Sequence, residues 1–210
     1  MLQHPGSGSD ASASIVVEHK AHQLGFFKMP RYLALFGSIN VGGNRLKMAD
    51  LRYALEREEI ENVETVIASG NVLFDYEDRP TEGLEDLFRH VMRERFDIDS
   101  FVAVRTQDEV RSAVEDNPFT GIGADNLVHT HFLGGQPSQE QFDDLVDAFR
   151  GRGPETFALG NRCLFIDFVE TVGNSKLTGA FLQRRLGYPG TARNVRSLAR
   201  ILQKMRAPQA

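Results

Sequence analysis

The chain has 210 residues, of which 41% are hydrophobic and 25% charged, with a net charge of −5 and one cysteine. This length can bury a sizeable core, and the lone Cys163 excludes a disulfide framework and any multi-cysteine metal site. No run approaches the roughly 20 apolar residues of a membrane span, and the first 28 residues lack a signal-peptide pattern, so we expect a cytoplasmic protein without a membrane role.

The first half of the chain predicts an extension followed by alternating strands and helices. Residues 1–29 are expected to be a flexible N-terminal extension, since Gly and Ser dominate positions 6–14. Hydrophobic periodicity then predicts strands at 32–36, 63–67, 72–76 and 101–104, and helices at 48–57, 84–96 and 107–114. A glycine-rich loop at 37–45 separates the first strand from the first helix.

The second half repeats this order. Strands are predicted at 127–133, 157–159, 163–168 and, as the only candidate for the last one, 188–192; helices are predicted at 138–149, 175–186 and 194–205. The order β-α-β-β-α-β is that of the split βαβ fold. We therefore predict an α+β protein of two tandem ferredoxin-like (βαββαβ) modules, residues 30–116 and 117–206, the second ending in a basic C-terminal helix.

Charge is segregated along the chain. Residues 31–116 carry 11 Lys and Arg against 19 Asp and Glu, whereas residues 175–210 carry eight cations and no acidic residue. Four of these cations, Arg193, Arg196, Arg200 and Lys204, recur at helical spacing and form one stripe. The basic segment either docks on the acidic body or faces an anionic partner such as nucleic acid, and the sequence leaves both open.

Several short motifs, in order, resemble one known family. They are Ile39-Asn40-Val41-Gly42-Gly43-Asn44, Ala68-Ser69-Gly70-Asn71-Val72, Asn117-Pro118-Phe119, Ser175-Lys176-Leu177-Thr178 and Thr191-Ala192-Arg193-Asn194. The chain is similar, over about residues 31–205, to the uncharacterised family called domain of unknown function 1697. The resemblance implies a cytosolic bacterial protein of tandem ferredoxin-like build and implies no activity. Gly37-Ser38 and Val195 depart from the Arg-Gly and Trp that are usual there.

The loop Asn40 to Asn44 does not form a Walker phosphate loop. Gly37 and Gly42 have the required separation, but Gly43-Asn44 follows where the lysine and hydroxyl are needed. A simpler possibility survives, because a glycine-rich turn before a helix can leave backbone N–H groups free to hold an anion. The alternative is that Gly42 and Gly43 only permit a tight turn.

Cations at predicted helix starts favour anion binding. Lys47 precedes the first helix, Lys176 follows Ser175 as the expected N-cap of a later helix, and Arg193 opens the last one. Cations normally avoid helix N-termini, and a bound phosphate would reverse the penalty. We predict that some of these starts converge on one phosphate-bearing ligand. The competing explanation is that each side chain turns into water or pairs with the acidic body.

Two other short motifs contain residues that can bind ligands. His129 and His131 share a strand face, a spacing that metals use, but no third ligand is apparent and no metal site is predicted. Ser69-Gly70-Asn71 is expected to be a hairpin turn, with a binding role through the family resemblance. The sequence identifies no cofactor, no catalytic residue and no oligomeric state.

The predicted function is therefore binding of a phosphate-containing ligand, a nucleotide or nucleic acid. Two alternatives stay open: a structural or protein-interaction module, and a small enzyme that uses Ser, Lys and Arg donors in the same cleft. The candidate ligand-binding residues are Asn40, Gly42, Gly43, Asn44, Lys47, Ser69, Gly70, Asn71, Ser175, Lys176, Arg193 and Asn194. Their meeting in one pocket would favour binding or catalysis, whereas scatter would favour the structural role.

Overall fold

A computed structural model describes residues 29–37, 39, 46–67 and 70–207. The predicted extension apart from Met29, and the candidate residues Asn40, Gly42, Gly43, Asn44 and Ser69, lie outside these described residues. Within the described part, the chain is a mixed α+β protein with six helices and two four-stranded antiparallel sheets.

The elements follow one another in the predicted order. The first half contains β1 (Arg31–Phe36), α1 (Met48–Glu56), β2 (Glu61–Thr65), β3 (Asn71–Asp75), α2 (Thr81–Phe96), β4 (Val102–Thr106) and α3 (Gln107–Glu115). The second half contains β5 (Val128–Leu133), α4 (Gln139–Phe149), β6 (Thr156–Gly160), β7 (Cys163–Asp167), α5 (Gly179–Leu186), β8 (Gly190–Asn194) and α6 (Val195–Arg206).

The two sheets have the same strand arrangement. The first runs β2-β3-β1-β4 and the second β6-β7-β5-β8, with every neighbouring pair antiparallel. In both sheets the apolar runs occupy the two central strands, because those strands are covered on both faces. The register places Leu35 opposite Asn71 and His129 opposite Asn194.

The predicted boundaries are wrong at two strands. β2 ends at Thr65, two residues before the predicted end, since Ile67 has a φ of +65° and has left the extended conformation. β8 occupies Gly190–Asn194 rather than 188–192. Arg193 consequently lies in β8 and does not open the last helix, which begins at Val195 with Asn194 as its N-cap.

The fifth helix also begins later than predicted. It spans Gly179–Leu186 rather than 175–186, and its N-cap is Thr178, whose hydroxyl accepts a hydrogen bond from the Phe181 amide. Ser175 is therefore not the N-cap. Its hydroxyl accepts from the Leu177 amide and donates to the Glu155 carboxylate. Two cap-forming residues stand three positions apart here, and the structure uses the second.

Three hydrophobic cores hold the fold together. One lies between the first sheet and α1 with α2, and another between the second sheet and α4 with α5. The third joins both sheets to α3 and α6, with contributors as distant as Leu33, Phe132 and Leu198. Burying each such side chain contributes about 1.5–3 kcal/mol. The two predicted modules thus share a central core, and their boundary at 116/117 stays a prediction.

In the part of the chain that the structure describes, no helix is both long and apolar enough to cross a membrane.

Candidate functional site

Three of the predicted site residues meet at one end of the first sheet. Arg193 of β8 reaches across to the turn between β2 and β3, where Nε donates to Asn71 Oδ1 at 2.6 Å and Nη2 donates to the Gly70 carbonyl at 2.9 Å. Nη2 also donates to the carbonyl of Phe36 at 3.0 Å. Arg193 is 122 positions from Asn71 and 157 positions from Phe36 in the sequence.

All the donors of Arg193 are engaged within the protein. Nη1 completes the set with bonds of 2.8 Å to the Thr191 hydroxyl and to the Ala192 carbonyl. Five guanidinium N–H groups therefore meet five acceptors. Burial lowers the pKa of Arg193 to about 10, so the side chain is still charged at neutral pH. Arg193 acts as a joint between the two sheets, with no donor left for a ligand.

Gly70 and Asn71 shape the turn that Arg193 holds. Gly70 has a φ of +93°, and a side chain there would place Cβ 3.3 Å from both Arg193 Nη2 and the Phe36 carbonyl oxygen. Its carbonyl accepts from the Phe36 amide at 2.9 Å, and Asn71 Nδ2 donates to the Val66 carbonyl at 3.3 Å. The turn is thereby fixed to the end of β1, where the chain leaves for the glycine-rich loop.

Lys47 stands at the start of α1, at the same end of the first sheet. α1 leads from this end back to β2, whose first residue, Glu61, pairs with Asp75 at the far end. Lys47 is exposed and occupies the N-cap position, and its side chain makes no capping hydrogen bond. Threonine, serine or asparagine side chains cap α3, α4, α5 and α6.

The other predicted site residues lie elsewhere. Ser175 contacts Glu155, directly before β6, and β6 is the edge strand opposite β8 in the second sheet. Two strands separate these edges, which is about 14 Å at the usual strand spacing. Lys176 is exposed beside Ser175 and precedes α5 by three residues. Asn194 caps α6 by accepting from the Ser197 amide at 2.9 Å.

The cations of α6 fall into two groups, according to whether they form ion pairs with the rest of the protein. Lys204 pairs with Glu64 of β2, and Arg206 pairs with Glu115 of α3 at 2.9 Å, so the end of the helix docks on the acidic first half. Arg196 and Arg200 are exposed, and their guanidinium groups form no ion pair with any described residue. Docking on the acidic body thus accounts for Lys204 and Arg206, whereas an anionic partner for Arg196 and Arg200 stays a prediction.

The histidine pair of β5 serves packing. His129 Nδ1 lies 3.0 Å from the Leu127 carbonyl, and its ring meets Phe168 edge-on. His131 is 6% exposed, and burial lowers its pKa to about 4, with a smaller contribution from the charge of His129. Among the residues that the structure describes, no group of three metal-ligating side chains comes together.

Acid should destabilise the protein through His131. The unfolded chain takes up a proton near pH 6.5 and the folded chain near pH 4, so stability is retained above pH 6.5 and falls as the pH drops toward 4. The loss should reach about 3 kcal/mol. Burial also lowers the pKa of His129, so this residue adds to the loss of stability in acid. Urea unfolding between pH 4 and 7 should show a shallower pH slope for His131→Gln, and an unchanged slope would contradict this assignment. Exposed His90→Gln is the control.

Sequence reasoning missed a buried ionic network between the two halves. Glu85 of α2 is 5% exposed, and its Oε1 accepts from Arg105 Nη1 at 2.9 Å and from Arg162 Nη2 at 2.8 Å. The Val104 amide donates to the same oxygen at 3.0 Å. Arg105 Nη2 also donates to the Leu133 carbonyl at 2.7 Å, which connects the network to the second half of the chain. The sequence feature that indicates this network is Arg105, a charged residue within the otherwise apolar strand β4.

The comparisons with known proteins agree with this architecture. Residues 29–165 match the family described as "Protein of unknown function (DUF1697)". The chain belongs to this family. A solved structure, a conserved bacterial protein SP0830 from Streptococcus pneumoniae, is similar to it at 23% identity with a TM-score of 0.60. The match covers 85% of this chain and 99% of that one, and it shows the shared fold. No curated protein matches this DUF1697 chain.

Proposed function

We propose that this DUF1697 protein binds a phosphate-containing ligand, a nucleotide or nucleic acid, at the start of α1. The observation that carries the proposal is an uncapped helix N-terminus beside a cation. The amides of Met48 and Ala49 have no acceptor among the described residues, and Lys47 next to them forms no ion pair there. Free N–H groups, the helix dipole and a lysine together favour a bound phosphate.

The surroundings of α1 support this location. The turn at Gly70, held by Arg193, fixes the neighbouring end of β1 and so defines where the glycine-rich loop leaves the sheet. The start of α6 is a poorer anion site, because its amides have acceptors: Arg196 donates to the Asp125 carbonyl and Ser197 to Asn194. Asp50 in the first turn of α1 adds an opposing charge, so Lys47 must supply the net attraction.

The exposed cations of α6 bear on the size of the ligand. Arg196 and Arg200 lie one helical turn apart, and α6 begins two residues after Arg193, whose side chain contacts the β2–β3 turn. A nucleic acid carries successive phosphates along its backbone that could engage such a row, and a mononucleotide has no such series. A stronger response to an oligonucleotide than to a mononucleotide would identify the larger ligand.

We also propose a specific topology for each half of the chain. We infer that each half is ferredoxin-like, on the support of the βαββαβ order and the repeated strand arrangement, and that α6 is the basic C-terminal helix. A bacterial, cytoplasmic setting is proposed on the family resemblance and the sequence features.

A structural or interaction role is the second candidate. It is favoured by the saturated donors of Arg193 and by the separation of Lys176 from the α1 end. Under this alternative, phosphates, nucleotides and oligonucleotides would all leave the stability of the protein unchanged.

Replacing Lys47 with serine separates the two candidates. Serine supplies the missing N-cap, so Lys47→Ser should raise the free energy of unfolding by about 1 kcal/mol without ligand. It also removes the cation and covers an amide, so stabilisation by phosphate, AMP or an oligonucleotide should be lost. In the native protein a ligand at a hundred times its Kd should add about 2.7 kcal/mol.

Arg52→Gln is the matched control, since it removes an exposed cation from the same helix away from its start. The measurement is the Tm with and without each ligand. The proposal fails if no ligand raises the Tm of the native protein, or if Lys47→Ser and Arg52→Gln respond alike.

A further inference from the structure

A cavity of about 180 Å³ lies where the two halves of the chain meet. Its wall combines α3, the end of β4, β5 and the β6–β7 hairpin. The rings of Phe132 and Phe165 supply apolar surface, and Asp108 at the rim has a side chain that is 90% exposed, so the cavity is accessible from solvent. None of the candidate phosphate-binding residues lines it.

The volume suits a single aromatic ring with one substituent. An apolar cavity of about 150 Å³ accepts benzene. The extra volume here corresponds to roughly one water molecule, at about 30 Å³ each. A ligand could stack against Phe132, whose ring centre also lies 5.6 Å from the Arg105 guanidinium.

Arg105 presents one unused donor to this cavity. The side chain is 1% exposed, and its terminal nitrogens are committed to Glu85 and to the carbonyls of Val104, Leu133 and Arg162. Nε–H donates to none of the described residues and is not among their fully buried unpaired atoms, so water or a ligand can reach it. A ligand oxygen that accepts this hydrogen bond would take the place of that water.

The carboxylate of Glu109 disfavours a negatively charged ligand in this cavity. It lines the same cavity, and one of its oxygens, Oε2, accepts from the Thr106 amide at 2.8 Å. The other oxygen has no partner among the described residues. The carboxylate would repel an anion and would accept from a neutral N–H donor. The wall therefore offers a donor at Arg105 and an acceptor at Glu109, beside two aromatic rings.

We propose that the cavity binds a small planar aromatic amide, with its carbonyl oxygen toward Arg105 Nε and its N–H toward Glu109. This ligand class is neutral, contains about nine non-hydrogen atoms and pairs both unused groups, in keeping with the available volume. The site is separate from the one at α1, so it stands or falls independently of the proposed phosphate ligand.

Cys163 provides a direct readout because it lines the cavity and is the only thiol of the chain. Burial raises its pKa to about 12, which makes its reaction with a small methanethiosulfonate slow enough to follow. The test measures this labelling rate at pH 8.5 with benzamide, with benzoate, which has the same shape but a negative charge, and with toluene. The same reaction in urea shows whether a probe affects the reagent itself.

At ten times its Kd, benzamide should slow labelling about tenfold through occupancy of the site. Benzoate and toluene at the same concentration should slow labelling several-fold less.

Glu109→Gln retains a side chain that can cap α3, and it should reduce the ratio of protection by benzamide to protection by benzoate. Asp108→Asn makes the same charge change at the exposed rim and should leave the preference intact. Equal protection by toluene, no protection by benzamide, or equal effects of the two variants would overturn the proposal.

Discussion

Replacing Arg193 with methionine should lower the free energy of unfolding by about 3 kcal/mol or more. The substitution removes five hydrogen bonds, among them those to Asn71 Oδ1 and to the carbonyls of Phe36 and Gly70. A hydrogen bond to a charged group contributes about 1.5–3 kcal/mol, and the losses are only partly additive. Few single substitutions outside a core have effects of this size.

Two further variants make the Arg193 experiment specific. Arg193→Lys keeps the charge but offers a compact ammonium with three donors, so it cannot serve both sheets and should recover less than half of the loss. Arg196→Met removes an exposed cation three residues away and should change stability by less than about 0.5 kcal/mol. Urea unfolding at pH 7 provides the measurement. If Arg193→Met is no more harmful than Arg196→Met, Arg193 does not join the sheets.

Replacing Glu85 with glutamine should be similarly destabilising, by about 3–5 kcal/mol. The change leaves the guanidinium groups of Arg105 and Arg162 buried together without their shared carboxylate. Burial and the neighbouring charge of Arg162 already lower the pKa of Arg105, which shows how strongly this environment opposes further positive charge.

The double variant Glu85→Gln with Arg162→Met tests the cause. Removing Arg162 also removes the repulsion, so the two changes should couple by about 1–3 kcal/mol in a double-mutant cycle. Glu82 is the matched control, since it also pairs with Arg162, at 2.9 Å, but its side chain is 63% exposed. Glu82→Gln should cost less than about 1 kcal/mol. A cost for Glu85→Gln as small as that for Glu82→Gln would contradict the account of the network.

The elements that sequence predicted well are those with strong local signals. The apolar runs at β1, β3, β5 and β7 are buried in their sheets, and the order of the fourteen elements in the described residues follows from hydrophobic periodicity. Boundaries were less accurate where local signals compete. Ser175 and Thr178 are both able to cap a helix, and the sequence alone does not rank them.

The candidate site was predictable only in part, because its contacts are long-range. The turn at Gly70 and Asn71 has a local signature, and these residues do meet Arg193. The role of Arg193 has no such signature. The sequence does not distinguish an arginine that binds a phosphate from one that donates to five acceptors within the protein. Glu85 likewise resembles any acidic residue of a helix until the fold brings Arg105 and Arg162 to it.

The most direct test of phosphate binding follows individual backbone amides by NMR during a titration with inorganic phosphate. The α1 account predicts saturable shifts concentrated at Met48 and Ala49, whose amides have no acceptor among the described residues, and their absence in Lys47→Ser. The amides of Arg196 and Ser197, which already have acceptors, should stay in place. Shifts centred on the start of α6, or no saturable shifts at the start of α1, would contradict the claim that this helix N-terminus binds phosphate.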